Sequence, residues 1–333
     1  MPKKIHVVLS GGSGSRLWPL SKKSRTKQYI PIFDGKSLFE MTIENNKNLC
    51  DQVIVVGNID NYELSLQILG KKEATPFEII VEALPKNTAA AITFAALTAQ
   101  EEDLLLITPS DHVIENKEAY QNAVECAFEL AENDCIVTFG IKPNKAETGY
   151  GYIQSNGEDV IAFHEKPSKE KALQFLTDEN YLWNSGIFCF RSKIFLEELR
   201  KYRPDILAAC IHVMQLKQSD FLDAAASQQI PSESIDYAIM EKSKKIKIVR
   251  GLFQWSDLGS FEALYDYFSV KGGVYVKESN LIIAETAHVE LHGIEDMMVI
   301  QSGDAILILP IQRSQEVKKI YERLAIENKN LIE

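Results

Sequence analysis

The sequence predicts an α/β fold: a mostly parallel mixed sheet with helices on both faces, followed by a small β-rich C-terminal module. Three observations predict it. Short apolar runs alternate with helix-length stretches through the first 140 residues. Runs that are apolar at every position suit strands buried on both faces, and their alternation with helices suits parallel strands joined by crossovers. Residues that interrupt regular structure collect just after those runs, where open α/β sheets bind their ligands. Beyond residue 271 the texture changes to short β segments and a polar helical tail.

The first run, residues 5–9, reads as a buried strand. It opens into Leu9-Ser10-Gly11-Gly12-Ser13-Gly14-Ser15-Arg16, three glycines and three serines closed by an arginine. Glycine lets successive backbone N–H groups turn toward an anion without a Cβ in the way, and such a turn forms an anion-binding concavity. Lys22, Lys23, Arg25 and Lys27 follow closely. A basic cluster behind a glycine loop, in a chain of net charge −11, looks like a phosphate site. The spacing excludes two common phosphate loops. A dinucleotide fingerprint starting at Gly12 would need glycine where Leu17 stands, and a Walker loop ending in Gly35-Lys36-Ser37 would need it at Ile30. A purely structural turn is the alternative that spacing leaves open.

An amphipathic stretch over 37–49 leads to the second run, 53–57. The third run covers 79–82, the fourth 104–108 and the fifth 136–140, with helical stretches at 88–100 and 117–132 between them. Asn87 or Thr88 is placed to cap the alanine-rich helix that follows the third run. After Gly149 come shorter strands, 150–155 and 160–164, expected as an irregular lobe of the same domain. The domain boundary is expected near Lys271-Gly272-Gly273, giving a domain over 1–271 and a module over 272–333. In that module four β segments lie between 279 and 309, separated by Ala287, Gly293 and Gly303-Asp304, and a helix covers 314–327.

Composition excludes several classes. A chain of 333 residues, 45% hydrophobic and 25% charged, has the balance of a soluble globular protein with one large domain and a small appendage. Its acidity argues against non-specific nucleic-acid binding, which needs a basic surface. Five scattered cysteines without C-x-x-C spacing suggest neither a zinc site nor a disulfide framework, and fit a reducing cytoplasm. The N-terminal apolar run is too short for a signal peptide, and no stretch approaches a membrane span.

The segment Gly11-Gly12-Ser13-Gly14-Ser15-Arg16-Leu17-Trp18-Pro19-Leu20-Ser21, followed by Lys27-Gln28-Tyr29, resembles the signature of the sugar-phosphate nucleotidyltransferases, and more narrowly of the mannose-1-phosphate guanylyltransferases. The resemblance runs from about Ile5 to Lys318. It implies a Rossmann-like, GT-A-like nucleotidyltransferase fold and a C-terminal module that is partly a left-handed β-helix. It also implies roles. Leu9, Gly11, Gly12, Ser13, Gly14 and Ser15 would wrap the nucleotide, while Arg16 and Lys27 would neutralise phosphate charge as the catalytic pair. Thr26 departs from the proline that usually precedes that lysine.

Further stretches carry the same resemblance. Glu82-Ala83-Leu84-Pro85-Lys86-Asn87-Thr88-Ala89 is similar to the family's base-and-ribose segment, with Ala83 for proline and Lys86 for arginine. There Glu82, Asn87 and Thr88 would contact the nucleotide, Glu82 accepting from the ring N–H and amino group of guanine. Thr108-Pro109-Ser110-Asp111-His112 would place Pro109 and Asp111 on the nucleotide. Asp111 would also bind Mg²⁺ together with Asp257 of Trp255-Ser256-Asp257-Leu258-Gly259. Glu147-Thr148-Gly149-Tyr150-Gly151-Tyr152, Phe163-His164-Glu165-Lys166-Pro167 and Trp183-Asn184-Ser185-Gly186 would form the sugar-phosphate half, through Gly149, Tyr150, Glu165, Lys166 and Asn184. The stretch 234–242 matches as well and reads as a structural helix.

The reaction so implied takes GTP and α-D-mannose 1-phosphate to GDP-mannose and pyrophosphate, in a cytoplasmic homodimer with no nucleic-acid or membrane partner. The chain stops at Glu333, so the isomerase domain that some members carry is not expected. Two alternatives stay open: a sister enzyme using another base or sugar phosphate, and a non-catalytic paralogue that senses GDP-mannose.

Overall fold

The apolar run after Lys3 becomes β1 (Lys4–Ser10), an inner strand of a nine-stranded sheet of order β3-β2-β1-β4-β9-β6-β10-β8-β7. The computed structural model describes residues 2–12, 14–70, 75–272 and 274–333. The chain divides into two compact units, the first made of Met1–Gly11, Thr42–Ser110 and Ile114–Trp255. The sheet belongs to this unit.

Strands β2 (Gln52–Asn58), β3 (Phe77–Glu82) and β4 (Leu104–Pro109) run parallel to β1, with β2 and β4 on either side of it and β3 outside β2. β6 (Ile136–Ile141) and β10 (Ile246–Gly251) form a second parallel pair. β9 (Tyr181–Arg191) lies between β4 and β6 and runs antiparallel to both. β7 (Tyr152–Asn156) and β8 (Asp159–His164) make an antiparallel hairpin, and β7 also pairs with β9. Short strands β5 (Val113–Glu115) and β11 (Gln254–Ser256) pair separately.

The predicted class of mixed, mostly parallel α/β sheet is therefore the observed one, and its register aligns the carboxyl ends of four strands. Leu9 lies beside Pro109, Ser10 beside Gly57, and Asn58 beside Glu82. The alanine-rich helix, Asn87–Thr98, is buried almost all round: Ala89 to Ala96 are all buried. Small side chains let it pack both on β1 and β2 and beneath the helices Ser192–Tyr202 and Pro204–Gln215. The predicted cap is not found. The helix begins at Asn87, whose Oδ1 accepts from the adjacent Thr88 N–H at 2.8 Å, and Thr88 Oγ1 accepts from the Ile235 N–H at 2.9 Å instead.

The second unit consists of Gly12–Met41, Asp111–Val113 and Ser256–Glu333. Its core joins Leu17, Trp18, Leu20, Ile30 and Phe33 to Leu258, Phe261, Leu281, Met298, Leu307 and Val317. Trp18 Nε1 donates to the Leu331 carbonyl at 2.8 Å, tying the loop segment to the tail. The helix Phe261–Lys271 is capped by Ser260, which accepts from the Ala263 N–H, and ends at Gly272 in the left-handed region (φ 68°).

A four-stranded sheet follows, of order β12 (Val276–Lys277), β13 (Asn280–Ala284), β14 (Met297–Ser302) and β15 (Ala305–Pro310). β13 and β14 are parallel, as in successive coils of a β-helix. The segment between Ala287 and Gly293, expected to be β, is instead part of the loop between them. Side-chain amides hold that loop in place of a strand ladder. Buried Asn280 donates to the Ile294 carbonyl and accepts from the Met297 N–H, and buried Gln301 accepts from the Thr286 N–H. The tail is a 3₁₀ turn, Ile311–Glu316, leading into the helix Val317–Glu327. Among the described residues, no helix is long and apolar enough to cross a membrane.

Candidate functional site

The predicted residues gather into separate constellations. The first lies in the second unit and consists of basic and acidic groups around the glycine loop. Gly14 adopts φ 60°, and a Cβ there would fall on Ser21 Oγ and within 3.0 Å of Lys27 Cβ. Only glycine fits, and its fit sets the approach of the loop to Lys27. Ser15 and Arg16 begin a single 3₁₀ turn, Ser15–Leu17, that leaves Arg16 exposed and buries Leu17. Gly12 is exposed, and Ser13 lies outside the described residues.

Lys27 is buried, with its Nζ 2.7 Å from Asp111 Oδ2 and donating to the Asp257 carbonyl at 2.5 Å. Thr26, just before Lys27, adopts φ −70°, close to the value proline would impose. Loss of water pushes the Asp111 carboxyl up, but Lys27 and His112 outweigh that and hold it below the usual range. His112 Nε2 lies 3.6 Å from Asp111 Oδ1, and desolvation keeps its imidazole below the ordinary value despite the neighbouring carboxylates.

Asp257 is fixed by a tight turn: its Oδ1 accepts from the Gly259 N–H at 3.1 Å, and Leu258 is driven to φ 43°. A left-handed leucine is uncommon and marks strain held by the surroundings. A Cβ on Gly259 would meet Asp257 Oδ2 at 2.7 Å and the Arg16 guanidinium at 3.0 Å, so both groups close over this glycine. Arg16, Lys27, Asp111 and Asp257 are thus one cluster. Two carboxylates offer hard oxygen donors, too few for an all-protein cage. They fit a divalent cation that completes its shell with phosphate and water. Among the described residues, no group of three or more His, Cys, Asp or Glu is arranged to hold a metal.

The second constellation lies at the carboxyl ends of β1 to β4 in the first unit, where Leu9 lies beside Pro109 and Gly11 lies near Glu82, the last residue of β3. Glu82 is only 6% exposed there, and among the described residues its Oε1 has no hydrogen-bond partner. Its Oε2 comes within 4.0 Å of where a Cβ on Gly11 would be. Burial pushes its carboxyl up to about 7, against the lowering effect of the Lys86 backbone N–H. Lys86 itself donates to the Gln228 carbonyl, and Asn87 (φ 71°) is exposed beside it.

The third constellation is also in the first unit. Gly149 donates its N–H to Glu147 at 3.0 Å, and the Tyr150 ring is set edge-on against Trp183 and Trp255, each 5.2 Å away. Glu165 pairs with Lys166 at 2.9 Å. Lys166 precedes a proline, which normally demands an extended residue, yet adopts φ 45°. The strained turn swings the lysine out, 66% exposed, while Glu165 stays 18% exposed. Asn184 Nδ2 donates to Asp236 Oδ1 at 2.8 Å.

Sequence reasoning missed Asp236. It starts a π-helical turn, Asp236–Met240, rather than an ordinary helix, and π turns recur at functional sites. An acid opening a matched but unexplained stretch was the available signal.

The first unit holds an open α/β sheet and the second a glycine loop with a lysine–aspartate cluster. Residues 5–271 match the family model described as Nucleotidyl transferase, the class to which the chain belongs. Residues 274–324 match the MannoseP isomerase/GMP-like beta-helix domain. The chain is 37% identical to Mannose-1-phosphate guanylyltransferase 2 of Escherichia coli O157:H7, over 98% of this chain and 74% of that one. It belongs to the mannose-1-phosphate guanylyltransferase family of nucleotidyl transferases.

Two solved structures are similar across most of their length. Mannose-1-phosphate geranyltransferase from Thermus thermophilus gives a TM-score of 0.83 at 29% identity, covering 97% of this chain and 99% of that one. Mannose-6-phosphate isomerase from Helicobacter pylori gives 0.70 at 38% identity, covering 76% of this chain and 99% of that one.

Proposed function

We propose that this chain makes GDP-mannose and pyrophosphate from GTP and α-D-mannose 1-phosphate. The observation that carries the reading is the cluster in which Lys27 engages both Asp111 and Asp257, with Arg16 beside them. An anionic oxygen of the sugar phosphate forms a bond to the α-phosphorus of GTP. The bond from that phosphorus to the α–β bridging oxygen breaks, and its electron pair leaves with pyrophosphate. The nucleophile is already ionised near neutral pH, so no general base is needed and catalysis is positioning and charge neutralisation.

In this reading Arg16 and Lys27 stabilise the triphosphate and the departing pyrophosphate, while the backbone from Gly11 to Ser15 cradles it. Glu82, Asn87 and Thr88 contact the nucleoside, as do Leu9 and Pro109. Gly149, Tyr150, Glu165 and Asn184 contact the sugar, and Lys166 anchors its phosphate. A bound Mg²⁺ would add positive charge along the phosphate oxygens, held by Asp111 and Asp257. The catalytic segment is taken as 1–271 and the module as 272–333. Holding both substrates in register supplies roughly 7–11 kcal/mol of barrier reduction in such reactions.

Pyrophosphate release with Mg²⁺ tests the proposal, crossing the four nucleoside triphosphates with mannose 1-phosphate and glucose 1-phosphate. Turnover confined largely to GTP with mannose 1-phosphate is expected. Preference for another pair would replace the named substrates, and binding of GDP-mannose without turnover would favour a sensing role.

The same reading includes a cytoplasmic location, supported by five cysteines that are all free thiols, and a homodimer formed through the C-terminal module. β15 is an edge strand with Ile306 and Ile308 more than 60% exposed, which supports that interface. Sedimentation is expected to give twice the chain mass, and Ile308→Lys is expected to return the monomer. A monomeric parent chain would remove the dimer from the proposal.

A further inference from the structure

Asn184 has four hydrogen-bonding valences in its side chain, and the structure accounts for three. Its Oδ1 accepts from the Gly186 N–H at 3.2 Å and from the fully buried Thr138 hydroxyl at 3.3 Å, which fills both lone pairs. One Nδ2 proton goes to Asp236 Oδ1 at 2.8 Å. One N–H remains. Turning the carboxamide over would set its NH₂ against the Gly186 N–H and its oxygen against the Asp236 carboxylate, so these two neighbours admit a single orientation.

The side chains near Asn184 include two carboxylate acceptors, Asp236 and Glu165, and the Lys166 ammonium lies 2.9 Å from Glu165 Oε1. Glu165 Oε2 lies 2.5 Å from where a Cβ on Gly151 would be, and Asn184 Cβ lies 3.5 Å from the same point. The Asn184 backbone N–H donates to the Gly151 carbonyl at 2.8 Å, so Glu165 and Asn184 both converge on this glycine. Asp236 is close enough to Glu165 that burial, then Glu165, push its carboxyl up to about 6. The cluster therefore offers the remaining Asn184 N–H beside two carboxylates, one of them paired with the Lys166 ammonium. A hydroxyl both accepts and donates, so neighbouring hydroxyls satisfy this set in only one stereochemical arrangement, and a wrong epimer leaves a polar group unpaired.

We propose that Asp236 is a positioning residue that sets the sugar stereospecificity of the reaction, by holding the Asn184 carboxamide so that its one remaining N–H serves a sugar hydroxyl. The inference rests on the assignment of this cluster to the sugar phosphate. It requires no titration of Asp236, only its capacity to accept.

The test measures pyrophosphate release by the full chain, with GTP and either mannose 1-phosphate or its C2 epimer glucose 1-phosphate. Asp236→Ala is expected to raise KM for mannose 1-phosphate roughly tenfold, and to lower the mannose-to-glucose ratio of kcat/KM by about as much, with KM for GTP unchanged. Asp236→Asn keeps an oxygen that can accept from Asn184 and is expected to recover most of the ratio. A wild-type ratio in Asp236→Ala overturns the inference, as does an equal rise in both KM values that Asp236→Asn does not rescue. If Asp236→Ala does not fold, Thr138→Val replaces it: removing the hydroxyl at the other end of the carboxamide should lower the same ratio, and an unchanged ratio overturns the inference. Absence of turnover in the unaltered chain with either sugar overturns the functional reading and this inference with it, whereas normal parental turnover with an insensitive Asp236→Ala overturns the inference alone.

Discussion

Lys27→Met is expected to lower kcat by about 10³-fold while leaving KM for mannose 1-phosphate within about twofold of the parent. Two losses combine. The ammonium is the buried positive charge of the cluster, and in the proposed reaction it faces charge that grows on the departing pyrophosphate. A preorganised charge in a water-poor site costs about 10²–10³ in rate when removed. Lys27 also grips Asp111 at 2.7 Å and the Asp257 carbonyl at 2.5 Å, so its removal loosens both carboxylates proposed to hold the cation. The folding penalty should be small, because Asp111 is 32% exposed and water can solvate it once the lysine is gone. Methionine fills much of the same volume. Single-turnover kinetics at saturating Mg²⁺ separate chemistry from binding, and a fall of less than about tenfold would remove Lys27 from the catalytic pair.

The parts of this molecule that were legible in the sequence are those written in contiguous residues. Runs such as 53–57 and 104–108 read as buried strands because they are apolar at nearly every position and too short for helices. The glycine loop announced itself because φ 60° and the crowding against Ser21 and Lys27 exclude any side chain at Gly14. Asp111 and Asp257 were found as a pair through their flanking residues, although they are 146 positions apart, which is simply 257 less 111. What stayed hidden depends on contacts between distant segments. No local pattern says that 12–41 packs into one core with 256–333, since both are apolar and either could have found another partner. The 285–296 loop alternates like a strand, yet Asn280 and Gln301 satisfy its backbone from the side. Thr88 looked like a cap because threonine caps helices, but the Ile235 N–H, far away in sequence, claimed its hydroxyl. Asp236 is the same case in functional form: its partner Asn184 lies 52 residues earlier.

Glu82→Gln is expected to change both how stability depends on pH and which base the chain prefers. The ordinary carboxyl value is 4.5, which the unfolded chain should show, whereas burial raises the folded value to about 7. The folded state therefore disfavours the ionised form. Stability is complete below pH 4.5, falls as pH rises through the window from 4.5 to about 7, and is flat above it. At 1.36 kcal/mol per unit the loss is about 3 kcal/mol. Glutamine does not ionise, so Glu82→Gln should gain about 3 kcal/mol on the parent between pH 4.5 and pH 8 in urea titrations. Asp236, raised to about 6, and His6, lowered to about 3 by burial, also make stability depend on pH. Both are present in parent and variant, so their effects cancel in the difference. A gain below about 1 kcal/mol would mean that water reaches the carboxylate. The same unpartnered Oε1 gives the functional half of the argument. A base that presents two N–H donors pairs with a carboxylate and favours its ionised form, so bound GTP should flatten the parent's pH dependence. A glutamine offers one acceptor and one donor, which suits adenine at least as well. The preference for GTP over ATP in kcat/KM should therefore fall by about 10²-fold in Glu82→Gln. An unchanged preference, in a variant that shows the stability gain, would leave Glu82 as a buried acid with no part in reading the base.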